Sequence, residues 1–286
     1  MIPEPVAAVS VGTLRAFLDE TGIHAGARWC AIAGFLGSPR QWIDFDQAWR
    51  RALTAAPGAS DFHAHEFFGG RSPYRALLGS ERRAFIDGLI GAVVDHRVFP
   101  FGAIVDAEAF MALSLGERRM LTGASRTETR WKSSGAPSQP YYLAFEHCIS
   151  IAPLRLARPG KVVDFFFDRQ RSLAPWAIER FMEIKERRAD LGPMLGTCAF
   201  AARGGVAPLQ AADLLAYCWH HCAAMDLATR AVAPAERARA FKENERWRVL
   251  CGLTTRGMDD LELVDRESMD RLLAKFPDRV RKKLKE

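Results

Sequence analysis

The sequence predicts an α/β fold in which helices cover the faces of a β-sheet. Two strand-like segments open the chain, and helix-like and strand-like segments then alternate as far as residue 226. This order is typical of α/β or α+β layer folds. Apolar residues make up 49% of the 286-residue chain, which provides a large core and excludes a disordered chain.

Five strands are predicted from short apolar runs that turn residues bound. They are residues 13–19, 29–36, 99–105, 161–168 and 194–201. Five helices are predicted from apolar residues at helical spacing or from a preceding capping residue. They are residues 41–53 after the cap Ser38, a helix capped by Ser80, residues 141–154, residues 176–188 and the helix that begins at Pro208.

Two further segments have no predicted strand. Residues 116–140 are rich in Ser, Thr, Gly, Arg and Lys, and we expect a long mobile loop there. Beyond residue 226 the chain is charged and helical in pattern, and we expect it to be strand-free. The sequence therefore predicts a domain at 1–226 and a C-terminal helical extension at 227–286.

Composition limits the partners and the compartment. Forty basic and 34 acidic residues give a net charge of +6, which favours an anionic partner such as nucleic acid. No apolar run approaches the ~20 residues that span a bilayer. The N-terminus lacks the features of a secretory signal. We therefore expect a soluble, cytoplasmic protein that does not bind a membrane.

Three aspartates stand within or at the end of apolar segments. Asp19 ends the first strand, Asp168 ends the strand at 161–168, and Asp213 lies inside the helical run Pro208–Tyr217. Each aspartate taken singly is typical of a cap or turn, except Asp213 in mid-helix. A buried charge needs a partner or a metal. If the first and fourth strands are parallel neighbours, Asp19 and Asp168 meet at one edge of the sheet.

These carboxylates are candidate ligands of a divalent metal. Oxygen ligands without an adjacent cysteine favour Mg²⁺ or Mn²⁺ over zinc. Two such ions ~4 Å apart activate water and stabilise the leaving oxygen in phosphodiester cleavage. Asp19, Asp168 and Asp213 are therefore candidate catalytic residues and metal ligands. Glu20 is a further candidate ligand, although strand alternation directs it to the opposite face.

The segment His63-Ala-His65-Glu66 is the second dense cluster of polar residues. Two histidines one residue apart can both bind zinc when the chain is extended. A helix start with one histidine bonded locally is the alternative interpretation. Glu66 is a candidate catalytic residue that orients water or binds the metal.

The predicted loop carries the candidate nucleic-acid contacts. Basic side chains grip phosphates, and an aromatic ring stacks on a base. A solvated loop without such a role is the alternative. The candidate residues are Arg126, Arg130, Trp131 and Lys132.

Four motifs together resemble a known family. They are Asp19-Glu-Thr-Gly22, His63-Ala-His-Glu66, Phe166-Phe-Asp168 and Pro208-Leu-Gln-Ala-Ala-Asp-Leu-Leu-Ala-Tyr217. In residues 13–225 the chain is similar to the bacterial and phage family called domain of unknown function 3800, with Thr21 where that family usually has Ser. The resemblance implies a ribonuclease-H-like fold, a mixed sheet flanked by helices. It also implies that Asp19, Asp168 and Asp213 match the acidic positions of a metal-dependent nuclease.

The leading hypothesis is a Mg²⁺- or Mn²⁺-dependent nuclease that cleaves DNA or RNA. The alternative is a non-catalytic module that keeps the fold and binds nucleic acid or protein. A third hypothesis is a zinc enzyme that uses His63 and His65. The absence of P-loop, dinucleotide-binding, Gly-x-Ser-x-Gly and His-Glu-x-x-His motifs argues against nucleotide hydrolysis, redox and serine-esterase chemistry.

Overall fold

The computed structural model describes residues 12–126, 131–133, 135–157, 160–255, 258–278 and 280. These residues contain a six-stranded mixed sheet in the order β7-β6-β1-β2-β3-β8. Its strands are β1 (Gly12–Thr21), β2 (Trp29–Gly37), β3 (Phe99–Asp106), β6 (Lys161–Asp168), β7 (Leu195–Ala201) and β8 (Leu261–Val264). β1, β2 and β3 are antiparallel neighbours, β6 runs parallel to β1 and β7, and β8 runs parallel to β3. The α/β class is confirmed.

The helices of the described residues account for most of the remaining chain. They are α1 (Pro39–Leu53), α2 (Ala64–Phe68), α3 (Gly79–Asp95), α4 (Ala107–Met111), α5 (Leu115–Gly123), α6 (Tyr141–Ile151), α7 (Ala174–Arg187), α8 (Ala207–Ala228), α9 (Pro234–Glu243), α10 (Glu245–Leu253) and α11 (Arg266–Ala274). No helix of the described ranges is both long and apolar enough to cross a membrane.

Hydrophobic layers cover both faces of the sheet. Leu18 and Phe165 belong to the layer that contains α6 and α7, which we call the α6 face. Ala33 and Phe35 belong to the layer that contains α1, α3, α8 and α10, which we call the α8 face. All nine residues of β2 are buried because helices pack on both sides of this central strand. Its sequence accordingly reads as a continuous apolar run.

The predicted Ser38 cap of α1 is confirmed, although the helix begins at Pro39 and not at Gln41, and the predicted cap of α3 is wrong. The Ser38 hydroxyl accepts the Gln41 N–H at 3.3 Å, and the Gln41 side chain accepts the Ser38 N–H at 2.8 Å. This reciprocal pair is a capping box. In α3, Ser80 lies inside the helix, because Gly79 takes φ 52° and the helix begins there, two residues earlier than a Ser80 cap requires.

The predicted loop at 116–140 is wrong over its first part. Ser114 and Glu117 form a capping box that starts α5, and Met120 and Leu121 are buried. The composition of this segment is typical of a loop, so the capping box and the apolar pair did not lead to a predicted helix. A small antiparallel hairpin follows, with strands β4 (Ala124–Arg126) and β5 (Trp131–Ser133).

The expectation of a strand-free chain beyond residue 226 is also wrong. β8 pairs in parallel with β3, so that Gly102 lies beside Leu261 and Val105 beside Val264. Four residues are enough for a strand at a sheet edge, but they are too few to stand out among charged helices. The division at residue 226 stays a prediction, although the sheet takes its last strand from beyond that boundary.

Candidate metal centre

Strand register places two of the predicted aspartates side by side. β1 and β6 run parallel, and Leu18 pairs with Phe167, so Asp19 and Asp168 follow at equivalent positions. Equivalent positions on neighbouring strands face the same side of a sheet. Both aspartates lie near the carboxyl ends of their strands, on the α8 face. The parallel pairing that brings the two carboxylates to one edge of the sheet is present.

A compact group of carboxylates forms at this edge. One oxygen each from Asp19, Glu20 and Asp168 lies within 4.8 Å of the other two. Oxygen donors at this spacing fit a hard divalent ion such as Mg²⁺ or Mn²⁺. The residues present therefore fit the metal that the sequence predicts.

Glu20 reaches this group from the α6 face of the sheet. The Glu20 charge acts on the Tyr141 hydroxyl of α6. It is the second cause, after burial, that raises the pKa of this hydroxyl well above its usual value. One Glu20 oxygen accepts a hydrogen bond from the Gln170 amide. The other oxygen, Oε2, is buried and has no hydrogen-bond donor among the described residues. An unsatisfied buried acceptor costs about 1–3 kcal/mol, so Oε2 is a candidate metal ligand.

Arg203 joins Asp19 to Asp213. Its Nη1 donates to Asp19 Oδ2 at 2.8 Å and lies 2.9 Å from Asp213 Oδ1. Its backbone N–H donates to Asp168 Oδ1 at 3.0 Å. One residue in the loop between β7 and α8 therefore contacts all three predicted aspartates. Asp213 lies outside the compact group and is connected to it through this arginine.

The position of Asp213 in the second turn of α8 explains its partners. The side chain is 15% exposed and points across the sheet edge towards Asp19. Its Oδ2 accepts the backbone N–H of Ala64 at 2.8 Å, at the first residue of α2. A carboxylate at a helix N-terminus satisfies a free N–H and is stabilised by it. Asp213 thus holds α2 against the acidic edge.

Burial and mutual repulsion raise the pKa of the clustered carboxyls. The pKa of Asp19 stands well above its ordinary value, because of burial first and the charge of Glu20 second. Burial is also the main cause that raises the pKa of Glu20 to about 8. Burial raises the pKa of Asp213, although the neighbouring Arg203 opposes this effect. A nearby cation would relieve this repulsion.

The His63–Glu66 segment lies beside the site but outside the compact group. His63 immediately precedes α2, and its charge opposes the rise in the pKa of Asp213. His65 is exposed and stands edge-on to Tyr217, with ring centroids 6.3 Å apart. Glu66 is half-buried in the first turn of α2. The catalytic role of Glu66 stays a prediction.

The candidate nucleic-acid contacts fall mostly outside what the structure describes. Arg130 is outside the described residues. Arg126, Trp131 and Lys132 lie in the β4–β5 hairpin, where only the backbone is described. Their proposed contacts with phosphates and bases stay predictions.

Comparison with known proteins does not extend this description. No protein-family model, curated protein or solved structure matches the chain.

Arg203 and Gln170 are the residues of this site that sequence reasoning missed. Gln170 follows β6 by two residues, and Arg203 follows β7 by two residues. Loops after neighbouring parallel strands meet at the same sheet edge. The positions of Gln170 and Arg203 directly after β6 and β7 could therefore have indicated that they lie at this sheet edge.

Proposed function

We propose that this protein is a Mg²⁺- or Mn²⁺-dependent nuclease with a ribonuclease-H-like fold, related to the family called domain of unknown function 3800. The single observation that carries the proposal is the compact group of Asp19, Glu20 and Asp168 oxygens at the carboxyl edge of β1 and β6. The mixed sheet with helices on both faces supports the fold assignment.

The residues of the site have distinct roles in this proposal. Asp19 and Asp168 would hold the cation from adjacent strands, and Glu20 would add its unpartnered oxygen from the neighbouring position on β1. Asp213 accepts the Ala64 N–H and so holds the start of α2 beside the site. When bound, the divalent ion supplies activation of water and stabilisation of the leaving oxygen. Glu66 orients the water, as the sequence predicts.

Nucleic acid is the proposed substrate because its phosphodiester is the group that such a centre cleaves. The net charge of +6 favours a polyanionic partner. The basic residues around the β4–β5 hairpin, Arg126, Arg130 and Lys132, are proposed to bind the phosphate backbone. Trp131 is proposed to stack on a base.

The test is cleavage of labelled single- and double-stranded DNA and RNA with Mn²⁺. We expect Asp168→Asn to lower cleavage by several orders of magnitude, because a metal ligand is lost, while nucleic-acid binding persists. The matched control is Asp164→Asn on the same strand, whose carboxylate accepts the Thr197 N–H and hydroxyl outside the site. Cleavage by Asp168→Asn at the wild-type rate would contradict the proposal.

A second candidate function is a non-catalytic module that binds nucleic acid or protein. The ion pairs of Arg203 with Asp19 and Asp213 favour it, because a guanidinium already neutralises part of the cluster. The two functions predict different effects of a divalent ion on the melting temperature. A divalent ion that binds only the folded state raises the melting temperature, and a module without a metal centre shows no such rise.

A zinc centre at the histidines has less support. Over the described ranges, the group that could hold a metal contains carboxylates and neither His63 nor His65. Zinc sites in proteins are built from nitrogen and sulfur ligands as well as carboxylates. The all-oxygen group fits Mg²⁺ or Mn²⁺ better.

A further inference from the structure

Arg203 occupies a position where it shares a ligand with the candidate metal centre. Asp19 belongs to the compact carboxylate group, and both of its oxygens already accept hydrogen bonds. Oδ1 accepts the backbone N–H of Glu20 at 2.8 Å, and Oδ2 accepts Nη1 of Arg203 at 2.8 Å. A divalent ion next to Asp19 would therefore lie close to the guanidinium. Two cations in a poorly solvated site repel each other.

The carboxylates at the site carry more negative charge than the Arg203 guanidinium neutralises. Four carboxylates, Asp19, Glu20, Asp168 and Asp213, influence the pKa of the single arginine in their midst. Burial is the main cause that raises the pKa values of Asp19, Glu20 and Asp213, and the Arg203 charge opposes this rise in all three. The guanidinium is thus a partial substitute for a cation of higher charge.

The guanidinium itself is incompletely bonded. Its Nε is buried and has no hydrogen-bond acceptor among the described residues. A buried donor without an acceptor weakens the arrangement that contains it. The side chain is 21% exposed, so it has a path to solvent. A competing cation can therefore displace the Arg203 guanidinium from this position.

The backbone of the loop is held independently of the guanidinium. Asp168 accepts the Arg203 N–H at one end. At the other end, Gly205 donates to Asp61 Oδ1 at 2.7 Å and accepts from Arg50 Nη2 at 2.8 Å. Gly205 takes φ 73°, which a glycine adopts without strain. The Arg203 side chain can therefore leave Asp19 and Asp213 while the loop stays in place.

We propose that Arg203 is an internal cation that competes with the divalent ion for Asp19, and so sets the metal affinity of the site. The inference rests on the proposed metal centre. Arg203 is a positioning and affinity-determining residue, because it acts through the carboxylates. Removal of its charge makes the site bind divalent metal more tightly.

The test is Mn²⁺ binding to the full chain, measured by electron paramagnetic resonance of free Mn²⁺ at pH 7.5. We expect Arg203→Gln to lower the Kd for Mn²⁺ about tenfold or more, since one competing positive charge is lost. Arg203→Lys keeps the charge and is expected to stay within about threefold of wild type. The matched control is Arg50→Gln, which removes another arginine contact to the same loop and leaves the acidic cluster unchanged.

A measurement on wild type covers the case in which Arg203→Gln does not fold. The Nε–H signal of Arg203 in ¹⁵N-arginine-labelled protein, assigned by its absence in Arg203→Lys, is expected to shift when Mg²⁺ saturates the site. An unshifted signal at saturating Mg²⁺ overturns the proposal.

The outcomes separate this inference from the proposed function. If wild type binds Mn²⁺ at least as tightly as Arg203→Gln does, the competition is overturned, but the proposed metal centre is not. Absence of Mn²⁺ binding by wild type and by Arg203→Gln overturns the metal centre, and the competition with it. Tighter binding by Arg203→Gln alone supports the inference.

Discussion

Arg180 and Arg203 are both largely buried arginines that bind two acidic side chains, and they lie on opposite faces of the sheet. Arg180 on α7 is 6% exposed and binds Glu146 through two nitrogens, at 2.7 and 3.1 Å. Its Nη1 donates to Glu183 at 2.7 Å, and Nη2 also donates to the Ala124 carbonyl. Arg203 is 21% exposed and leaves its buried Nε without an acceptor among the described residues.

The difference between the two arginines is one of charge balance. Glu183 also binds Arg187, so two arginines face two glutamates around Arg180 and the charges cancel. Arg203 faces four carboxylates, three of which have a raised pKa. A buried ion pair is stable when it is fully bonded and neutral. The cluster around Arg180 is balanced within the protein, whereas the cluster around Arg203 keeps an excess of negative charge.

The largest expected effect is the loss of Arg180. Arg180→Met leaves the Glu146 carboxylate partly buried without its bidentate partner. We expect unfolding by guanidinium chloride to show a loss of about 3 kcal/mol. The double variant Arg180→Met/Glu146→Leu is expected to recover part of this loss, because no unpaired charge remains. A loss below about 1 kcal/mol for the single variant would mean that Arg180 does not hold a buried charge.

The second expected effect is a fall in stability of the metal-free protein between pH 6.5 and 8. Glu20 has a folded pKa of about 8 and an ordinary value of 4.5, so the folded state holds a proton that the unfolded state has lost. Rising pH removes that proton and disfavours folding, by roughly 1 kcal/mol per pH unit. The measurement is the guanidinium midpoint in EDTA at several pH values.

The pH range is chosen to isolate the acidic cluster. Burial lowers the pKa of His220 to about 4, so its neutral folded form gains stability as pH rises towards 6.5. Above pH 6.5 this opposing contribution is complete. Glu20→Gln removes the titrating group and is expected to flatten the profile. A midpoint that rises from pH 6.5 to 8 in wild type would contradict the raised carboxyl pKa.

The smallest expected effect concerns an exposed arginine–carboxylate pair. Arg239 and Glu243 lie one turn apart on α9, with side chains 78% and 65% exposed. Water screens such a pair, so Arg239→Ala is expected to change the free energy of unfolding by less than about 0.5 kcal/mol. The same denaturation assay measures it. A change as large as that of Arg180→Met would show that burial does not distinguish the two pairs.

Much of the fold was predictable because local patterns decide it. The apolar run that ends at Asp168 gives β6 with its predicted bounds, and Ser38 caps α1 as predicted. The errors fall where a local signal is weak or misleading. β8 has four residues, and the capping box at Ser114 stands in a segment with loop-like composition.

The candidate site was predictable in part. Asp19 and Asp168 meet because they lie at or near the carboxyl ends of two apolar strands that pair in parallel. Glu20 was expected on the opposite face, and it is on the α6 face, yet one of its oxygens lies within 4.8 Å of oxygens of Asp19 and Asp168. The position of Arg203 two residues after β7 indicates this sheet edge, but the sequence does not show that it contacts all three aspartates.

The sequence by itself determined that acidic residues would stand at the ends of buried segments, since apolar periodicity fixes the strands and the carboxylates that terminate them. Only the tertiary structure decided which groups share the site. Arg203 and Asp19 are 184 residues apart in the chain and are joined by one hydrogen bond of 2.8 Å. The choice between a guanidinium and a metal as the partner of a carboxylate depends on distances across the sheet edge, because electrostatic interactions act through space.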